Sequence, residues 1–264
     1  MTGAPLPGWW RLRSSTSSQP VSSTQNEVVR RLRRLGRRRE PGEVLLEGPR
    51  VVREAVACGV PLEVLAVREG VDFDVPGLAA ERRVTLGERA FASVAQTATP
   101  QGVLAIGRRA EATMPEALAA ARTAGWPLVV LDGVQDPGNV GAICRSAAAA
   151  GAPAVAVLDG SADPHGAKAV RASAGTVLRL VVARGGWPDL AGIPGWGAAA
   201  AGGVPWHRAP LAGAPLVAFG GEAHGLRRDD LELVTIPMAP GVESLNVAAA
   251  AAVVLYEIRR RLEA

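Results

Sequence analysis

The sequence is poor in cysteine and histidine, and neither residue type is clustered. The two cysteines, Cys58 and Cys144, lie far apart in helix-like segments, and the three histidines are scattered singly. A disulfide framework or a zinc site needs several such residues at short, regular spacings. The composition therefore predicts neither a disulfide-held fold nor a metal centre.

Long hydrophobic runs are also missing. No apolar run approaches the roughly 18 residues of a membrane-spanning helix, and the N-terminus lacks the hydrophobic core of a secretory signal. With 264 residues, of which 48% are apolar, the chain fits a globular protein of one or two domains. We expect it to be cytoplasmic, with no membrane partner.

Lysine is nearly absent, since 28 of the 29 basic residues are arginine. GC-rich coding produces the same bias, so residue choice alone carries little weight as a sign of phosphate binding. The placement of charge is more informative. Residues 1–109 hold 17 arginines against 11 acidic residues, whereas residues 110–264 hold 12 basic against 14 acidic residues. A basic partner surface is therefore expected in the N-terminal half.

The N-terminal half divides into a tail and a small α/β domain. Residues 1–25 are rich in Ser, Thr, Pro and Gly, which is typical of a disordered tail. From Asn26 a helix is predicted, with Val28, Leu32 and Leu35 on one stripe. Seven arginines crowd into positions 30–39 of this region, and they form either a solvated helix face or a phosphate-binding patch.

Apolar segments with the length of strands follow at "EVLLEG", "LEVLAV", "RRVTLG" and "GVLAIG", and helices alternate with them. We place this first domain at 26–108, a linker helix within 109–124, and a second α/β domain at 125–264. In the second domain, "PLVVLD" and "PAVAVLD" flank a helix, and both strands are apolar throughout. That pattern favours a parallel sheet covered on both faces, with ligands bound beyond the carboxyl ends of its strands.

Three polar clusters are predicted at those strand ends. "DPGNVGAICRS" carries Asn139 and Arg145, "FGGEAHGL" carries Glu222, and "GVESLNVAAAAA" carries Ser244 and Asn246. Each cluster has a structural explanation when taken alone. Asn139 is a candidate cap of a helix from about 139 to 150, and Ser244 or Asn246 is a candidate cap of the last helix. Arg145 is either part of a structural ion pair or an anion-binding residue. Glu222 is a favourable charge before a following helix. The G-x-G-x-x-G fingerprint of an NAD-dependent oxidoreductase is absent.

The order and content of the three clusters resemble the SpoU/TrmH family of RNA ribose 2′-O-methyltransferases, of the SPOUT superfamily. The motifs are "GNVGAICR", "FGGEAHGL" and "IPMAPGVESLNVAAAAAVVLYE", and the resemblance covers about residues 127–262. The first half resembles the ribosomal-protein-like α/β substrate-binding domain that often precedes it, through "LLEGPRVVREAV" and "TATPQGVLAI". One departure is Gly221, where the family commonly has asparagine.

The resemblance implies a C-terminal domain with a trefoil knot, S-adenosylmethionine as cofactor, and a homodimer whose subunits both contribute to the site. It implies RNA as the partner, ribosomal RNA more than transfer RNA, and therefore favours phosphate binding by the arginine-rich helix. The implied catalytic residues are Asn139, Arg145, Glu222, Ser244 and Asn246, and the implied cofactor-binding residues are Gly220, Ile236, Met238, Ser244 and Leu245. The RNA-binding residues that we expect from the arginine run are Arg30, Arg31, Arg33, Arg34, Arg37 and Arg38.

Arg145 is the residue to which the resemblance points for activating the ribose hydroxyl. A guanidinium stays protonated in ordinary surroundings, so stabilising the developing alkoxide is an easier role for it than removing a proton. The choice between the two roles stays open. The alternative for the whole chain is a non-catalytic RNA-binding dimer, which has no need for all five polar residues.

Overall fold

The computed structural model describes residues 19–222 and 224–264, and two β-sheets organise them. The helices are α1 (Glu27–Arg37), α2 (Pro49–Ala57), α3 (Glu88–Ala92), α4 (Met114–Thr123), α5 (Pro137–Ala150), α6 (Ala167–Ala172) and α7 (Val247–Leu262). The strands are β1 (Glu43–Glu47), β2 (Leu62–Arg68), β3 (Ala80–Leu86), β4 (Val103–Arg108), β5 (Leu128–Asp132), β6 (Ala154–Leu158), β7 (Val181–Gly185), β8 (Trp196–Ala199), β9 (Val204–Pro205), β10 (Leu216–Gly220) and β11 (Glu232–Thr235).

The first sheet has the strand order β1-β4-β2-β3. Strand β4 pairs antiparallel with both β1 and β2, and β3 adds to β2 in parallel. Because side chains alternate across a strand, Val44 and Leu46 join the core on the α2 side, whereas Leu45 packs with the residues of α1 and α3. Both faces of this sheet are therefore covered.

Helix α1 forms as its sequence predicts. The side chain of Asn26 accepts a hydrogen bond from the Val28 amide at 2.9 Å, which satisfies one of the unpaired donors of the first turn. Val28, Leu32 and Leu35 are buried on one stripe. The arginines of the helix lie on its other sides.

The second sheet has the order β7-β6-β5-β10-β8-β11-β9, and all its strand pairs are parallel. Successive side chains of β5 again point to opposite faces of the sheet. Val129 and Leu131 pack on the side of α5 and α7, whereas Leu128 and Val130 pack on the side of α4. The predicted α/β fold with a parallel sheet covered on both faces is confirmed. The trefoil knot and the domain limits stay predictions.

The two sheets share one hydrophobic cluster, because α6 packs against β1 and α2 packs against the short 3-10 turn Thr176–Arg179. Ion pairs cross the same junction. Arg171 binds the buried carboxylate of Glu47 at 3.1 Å, and Arg39 binds Asp163 at 2.6 Å. The N-terminal sheet is therefore held to the second one by apolar packing and by charge.

Several local features differ from the sequence predictions or lie beyond them. The short elements α3 and β9 were not predicted. Val21, which the composition places in the tail, forms a bridge with Leu86, and the predicted tail over residues 1–18 lies outside the described residues. In the described ranges, no helix combines the length and the apolar character that crossing a membrane requires.

Candidate functional site

The candidate site lies at the carboxyl ends of β5 and β10, which are neighbours in the parallel sheet. Asp132 and Gly220, the last residues of these strands, are in register with each other. Helix α5 starts five residues after Asp132, and α7 starts on the same side of the sheet. The fold therefore brings three loops, around residues 133–139, 221–231 and 236–246, to one edge.

Three predicted site residues meet at this edge in one hydrogen-bonded cluster. The Asn139 side-chain amide donates to Glu222 Oε1 at 2.7 Å. The Asn246 amide donates to Asn139 Oδ1 at 3.1 Å and to the same Glu222 oxygen at 3.3 Å. Two neutral amides thus orient one solvent-exposed carboxylate, although the three residues come from separate parts of the chain.

Asn246 is also the cap of α7. Its Oδ1 accepts hydrogen bonds from the amides of Ala248 at 2.9 Å and Ala249 at 3.4 Å, while its Nδ2 donates to the cluster. The acceptor end therefore starts the helix, and the donor end holds the carboxylate. The predicted cap is confirmed, and a role of Asn246 in binding stays a prediction.

Two structural explanations from the sequence are wrong. Helix α5 is capped by Asp136, whose side chain accepts from the Gly138 amide at 2.8 Å, and Asn139 lies inside the first turn. Pro137 at the first helical position explains this start, because its missing N–H needs no partner there. Glu222 precedes no helix, since the described residues between β10 and β11 form a loop.

The five residues predicted to bind a cofactor line one cavity of about 540 Å³. Ile236, Met238 and Leu245 provide apolar wall, Gly220 lies at the end of β10, and Ser244 contributes a hydroxyl. Further apolar wall comes from Phe219 and from Val254 of α7. A pocket of this size with mostly apolar walls and few polar groups suits a small organic ligand.

A second cavity of about 160 Å³ adjoins the first, and Gly221, Glu222, Gly225 and Val247 line both. Asn139 also lines it. The cluster carboxylate therefore lines both the larger and the smaller cavity. This is a suitable arrangement for bringing two different molecules into contact.

Arg145 does not join the cluster. It is exposed on α5, and it lines neither of these two cavities. Six residues separate it from Asn139, which corresponds to about 9 Å along the helix and about 120° around it. Within the described part of a single chain, this arginine has no hydrogen-bond or ion-pair partner.

Gly221 stands where the family motif commonly carries asparagine, and the backbone explains the smaller residue. Its amide donates to the Asp132 carbonyl at 2.8 Å. A Cβ atom built on it would lie 2.1 Å from the carbonyl oxygen of Gly133. The loop after β10 thus passes too close to the loop after β5 for any side chain at this position.

The arginines of the α1 region have different surroundings. Arg31 is ion-paired with Glu43 and Glu63, and Arg33 donates to the hydroxyl of Ser93 at 2.9 Å. The remaining four predicted RNA-binding residues are exposed, namely Arg30, Arg34, Arg37 and Arg38. The open basic surface is therefore smaller than the sequence indicates.

Glu111, Asp163 and His165 lie close enough together to hold a metal ion. Arg39, however, forms ion pairs with both carboxylates, and Arg184 lies 3.8 Å from Asp163. A divalent cation would have to compete with these guanidinium groups for its ligands. The electrostatics thus disfavour a metal at this place, and the expected absence of a metal cofactor stays a prediction.

Sequence reasoning missed Asp132 and Arg227. The Asp132 carboxylate is fully buried and is paired with Arg227 at the wall of the smaller cavity. A charged residue at the end of the apolar run "PLVVLD" was a usable signal, because such residues are rarely buried without a partner. The identity of the partner, 95 residues later, had no sequence signal.

Comparisons with known proteins identify the family of both halves of the chain. Residues 127–256 match the SpoU rRNA Methylase family, and residues 26–105 match an MRM3-like substrate binding domain. The chain is 32% identical over 254 residues to the 23S rRNA (guanosine(2553)-2′-O)-methyltransferase RlmP of Bacillus subtilis (strain 168), covering 90% of this chain and 98% of the relative.

The chain belongs to the SpoU rRNA methylase family. Over 161 residues this SpoU methylase is 40% identical to the 23S rRNA (guanosine-2′-O-)-methyltransferase RlmB of Xanthomonas axonopodis pv. citri (strain 306), covering 53% of this chain and 62% of RlmB. The crystal structure of an AdoMet-bound rRNA methyltransferase from Sinorhizobium meliloti superposes with a TM-score of 0.76 at 27% identity, covering 92% of this chain and 98% of that one.

Proposed function

We propose that this SpoU methylase transfers the methyl group of S-adenosylmethionine to a ribose 2′-hydroxyl of RNA. Membership of the family and the activities for which RlmP and RlmB are named support the proposal. The observation that carries it is the cluster of Asn139, Glu222 and Asn246 between the two cavities. A protein that only bound RNA would not need a carboxylate oriented there.

The larger cavity suits the cofactor. Its volume of about 540 Å³ lies in the range of small-molecule pockets, and Ile236, Met238 and Leu245 offer apolar contact to a flat base. Ser244 and the backbone beside Gly220 offer polar contacts. The cofactor, when bound, supplies an electrophilic methyl group. Its presence in the Sinorhizobium meliloti structure supports this assignment.

The residues of the cluster orient the acceptor hydroxyl. Because two amides fix Glu222, its carboxylate can accept a hydrogen bond from a ribose 2′-hydroxyl in the smaller cavity without first losing side-chain freedom. Holding the ribose oxygen in line with a methyl group in the larger cavity lowers the barrier to methyl transfer by several kcal/mol. A guanidinium near the oxygen then stabilises the negative charge that develops as its proton leaves.

Arg145 is the proposed source of that guanidinium, and its position supports a homodimer. The residue is exposed on α5 and lines neither cavity of its own chain. Packing of two chains with α5 near the neighbouring site would bring Arg145 of one protomer to the cluster of the other. The site would then be complete only in the dimer.

Ribosomal RNA is the proposed substrate, more than transfer RNA, because RlmP and RlmB are both named for 23S rRNA. The exposed arginines of α1 supply a surface for its phosphates. A ribosomal substrate also supports a cytoplasmic location.

Three measurements test the proposal together. Calorimetric titration should show binding of S-adenosylmethionine and none of NAD, and sedimentation should show a dimer at micromolar concentration. Labelled donor should then methylate unmodified ribosomal RNA in a single turnover. Cofactor binding without any transfer would favour the non-catalytic alternative, and a stable monomer would contradict the shared site.

Glu222→Gln is the discriminating variant, because it keeps the shape of the side chain and removes its charge. We expect about a 100-fold slower transfer, the scale of losing one oriented electrostatic partner. Glu232→Gln is the matched control, since Glu232 is an exposed carboxylate at the opposite end of the strands. Equal rates for both variants would contradict the role of the cluster.

A further inference from the structure

Asp132 joins three segments at the carboxyl edge of the second sheet. Its buried carboxylate accepts hydrogen bonds from Trp187 Nε1 at 3.0 Å, from the Arg227 amide at 2.6 Å and from Arg227 Nε at 2.6 Å. A buried charge needs such partners, because leaving it alone costs several kcal/mol. The carboxylate thereby fixes the position of Arg227.

The Arg227 guanidinium is occupied on one side only. Its Nε and Nη2 bind Asp132, and Nη2 also donates to the Asp159 carbonyl. Its Nη1 has no hydrogen-bond partner anywhere in the described ranges 19–222 and 224–264. The side chain is 44% exposed, although Asp132 is not exposed at all. One pair of N–H donors is therefore held in place and open to a ligand.

The smaller cavity is where these donors lie. Arg227 lines it together with Asn139 and Glu222. A Cβ atom built on Gly160, another lining residue, would be 3.4 Å from Nη1, which places Nη1 beside this wall of the cavity. The first turn of α5 lines the same cavity and favours a negative charge near its N-terminus.

A phosphate of RNA fits these donors. The free Nη1 can donate a charge-assisted hydrogen bond to a phosphate oxygen, and a guanidinium already held in position loses little entropy on binding. Glu222 and Asp136 would both repel a phosphate, but Asn139 and Asn246 donate to the Glu222 carboxylate and Lys168 pairs with Asp136 at 2.8 Å, which reduces that effect. Each ribose in RNA has a phosphate on either side, so one contact locates the sugar.

We propose that Arg227 binds a backbone phosphate next to the target ribose, with Asp132 as the residue that positions its guanidinium. The inference rests on the proposed function, because it assigns part of the RNA contact at the same site. It gives a specific role to Asp132 and Arg227, which are not among the polar residues predicted from the three sequence motifs. The simpler explanation is that Arg227 only neutralises Asp132.

The salt dependence of RNA binding separates these explanations. Loss of one phosphate contact lowers the slope of log affinity against log salt by about 0.7 to 0.9, which loss of a purely structural ion pair does not do. The double variant Asp132→Asn with Arg227→Gln removes both charges, so that no buried carboxylate is left unpaired. Arg122→Gln is the control, because Arg122 is exposed at the opposite end of the sheet.

The probe is a fluorescent single-stranded RNA of about 20 nucleotides, titrated with the full chain at several salt concentrations. We expect the double variant to bind this RNA about 10-fold more weakly, with the lower slope of log affinity against log salt. Its affinity for S-adenosylmethionine should equal that of the wild type. Arg122→Gln should behave as wild type. An unchanged slope and affinity in a folded double variant would overturn the proposal.

Arg227→Lys covers the case in which the double variant does not fold, since a lysine still pairs with Asp132 but lacks the second pair of donors. Its KM for RNA should rise about 10-fold with the cofactor affinity unchanged, and an unchanged KM would overturn the proposal. If the wild-type protein binds RNA with the expected salt slope but transfers no methyl group, the proposed function is refuted and the proposed phosphate contact of Arg227 is not.

Discussion

At the scale of single residues, two arginines of this SpoU methylase differ in a useful way. Arg227 is tied to a buried carboxylate, whereas Arg145 is exposed and has no partner in the described part of the chain. A side chain without an intramolecular partner contributes little to the stability of its own fold. Any strong effect of changing Arg145 must therefore come from what it does to a ligand or to another protomer.

Arg145→Ala should leave the melting temperature and the affinity for S-adenosylmethionine close to wild type. We expect methyl transfer to fall by about 100-fold or more, because a guanidinium that faces the developing oxyanion would be lost. Single-turnover assays beside thermal melts measure both quantities. A dimeric, folded variant that transfers at the wild-type rate would refute the role of Arg145.

Three of the polar residues that gather at this edge, Asn139, Glu222 and Asn246, were predicted from the sequence, whereas Arg145 lies apart and Asp132 and Arg227 were missed. Asp136 and Asn139 are both cap-forming residue types at the start of one helix, and only Pro137 between them indicates which one caps. Asn246 could be predicted as a cap because the apolar helix begins directly after it. Its second set of hydrogen bonds depends on Asn139, 107 residues away, and no local pattern encodes that contact.

At the scale of elements, α7 starts on a residue with two functions, and these can be separated chemically. Asn246→Asp should keep the helix cap, because aspartate caps as well as asparagine does. It removes the amide that donates to Glu222 and puts a second carboxylate beside it. We expect stability within about 0.5 kcal/mol of wild type and methyl transfer reduced about 100-fold.

Asn246→Ala is the companion variant, because it removes both functions. It should lose about 1 kcal/mol of stability as well as activity. Urea denaturation and single-turnover transfer measure the two effects. Full activity in a stable Asn246→Asp protein would show that the amide is not needed.

Helix α1 allows a similar separation among its arginines. Changing Arg30, Arg34, Arg37 and Arg38 together to Gln should lower the salt slope of RNA binding by up to about 3 and leave stability nearly unchanged. The one ion pair among them, between Arg34 and Glu40 at 3.4 Å, is exposed and worth little. Arg31→Gln is the contrasting control, since it deprives Glu43 and Glu63 of a partner and should lower the melting temperature. A slope unaffected by the fourfold change would place the RNA surface elsewhere.

Most of the long helices and strands can be predicted from the hydrophobic pattern and from the turn and cap residues that bound it. The apolar strands β5, β6 and β10 and the capped helix α1 each have a local signal strong enough to predict them. Helix α3 and strand β9, with five and two residues, are too short to show a period. Their place is decided by packing against neighbours that are distant in the sequence.

At the scale of the whole molecule, the junction between the two sheets carries a buried histidine. His165 is 1% exposed, and neither of its ring nitrogens has a partner among the described residues. Burial, with Arg39 as the next contributor, lowers the pKa of His165 from the usual 6.5 to about 4. Asp163 on the same loop acts in the opposite direction, while Arg109 and Arg184 add to the lowering.

Acid should therefore loosen the junction. Between about pH 4 and 6.5 the unfolded chain binds the His165 proton more readily than the folded one does, so stability falls as pH falls through this window. His165→Leu should flatten this dependence and keep or raise stability near neutral pH, because two unpaired buried nitrogens are removed. Urea denaturation midpoints at about pH 7 and about pH 5 test this pH dependence.

His207→Leu is the control, because His207 is exposed, and this variant should keep the wild-type pH dependence. A His165→Leu protein with that same dependence would exclude the histidine as its cause.

The hydrogen bonds between Asn139, Glu222 and Asn246 also set a time at which the enzyme can first work. A ribosome makes the chain from the N-terminus, so the strand and helix that present Asn139 emerge long before Asn246 does. The helix beginning at Val247 must be complete before it can pack against α5 and bring the third amide into place. A nascent chain that stops short of this helix lacks the third amide of the cluster. Because we propose the cluster as the site of methyl transfer, we expect transfer to begin only after the helix through Leu262 has left the exit tunnel.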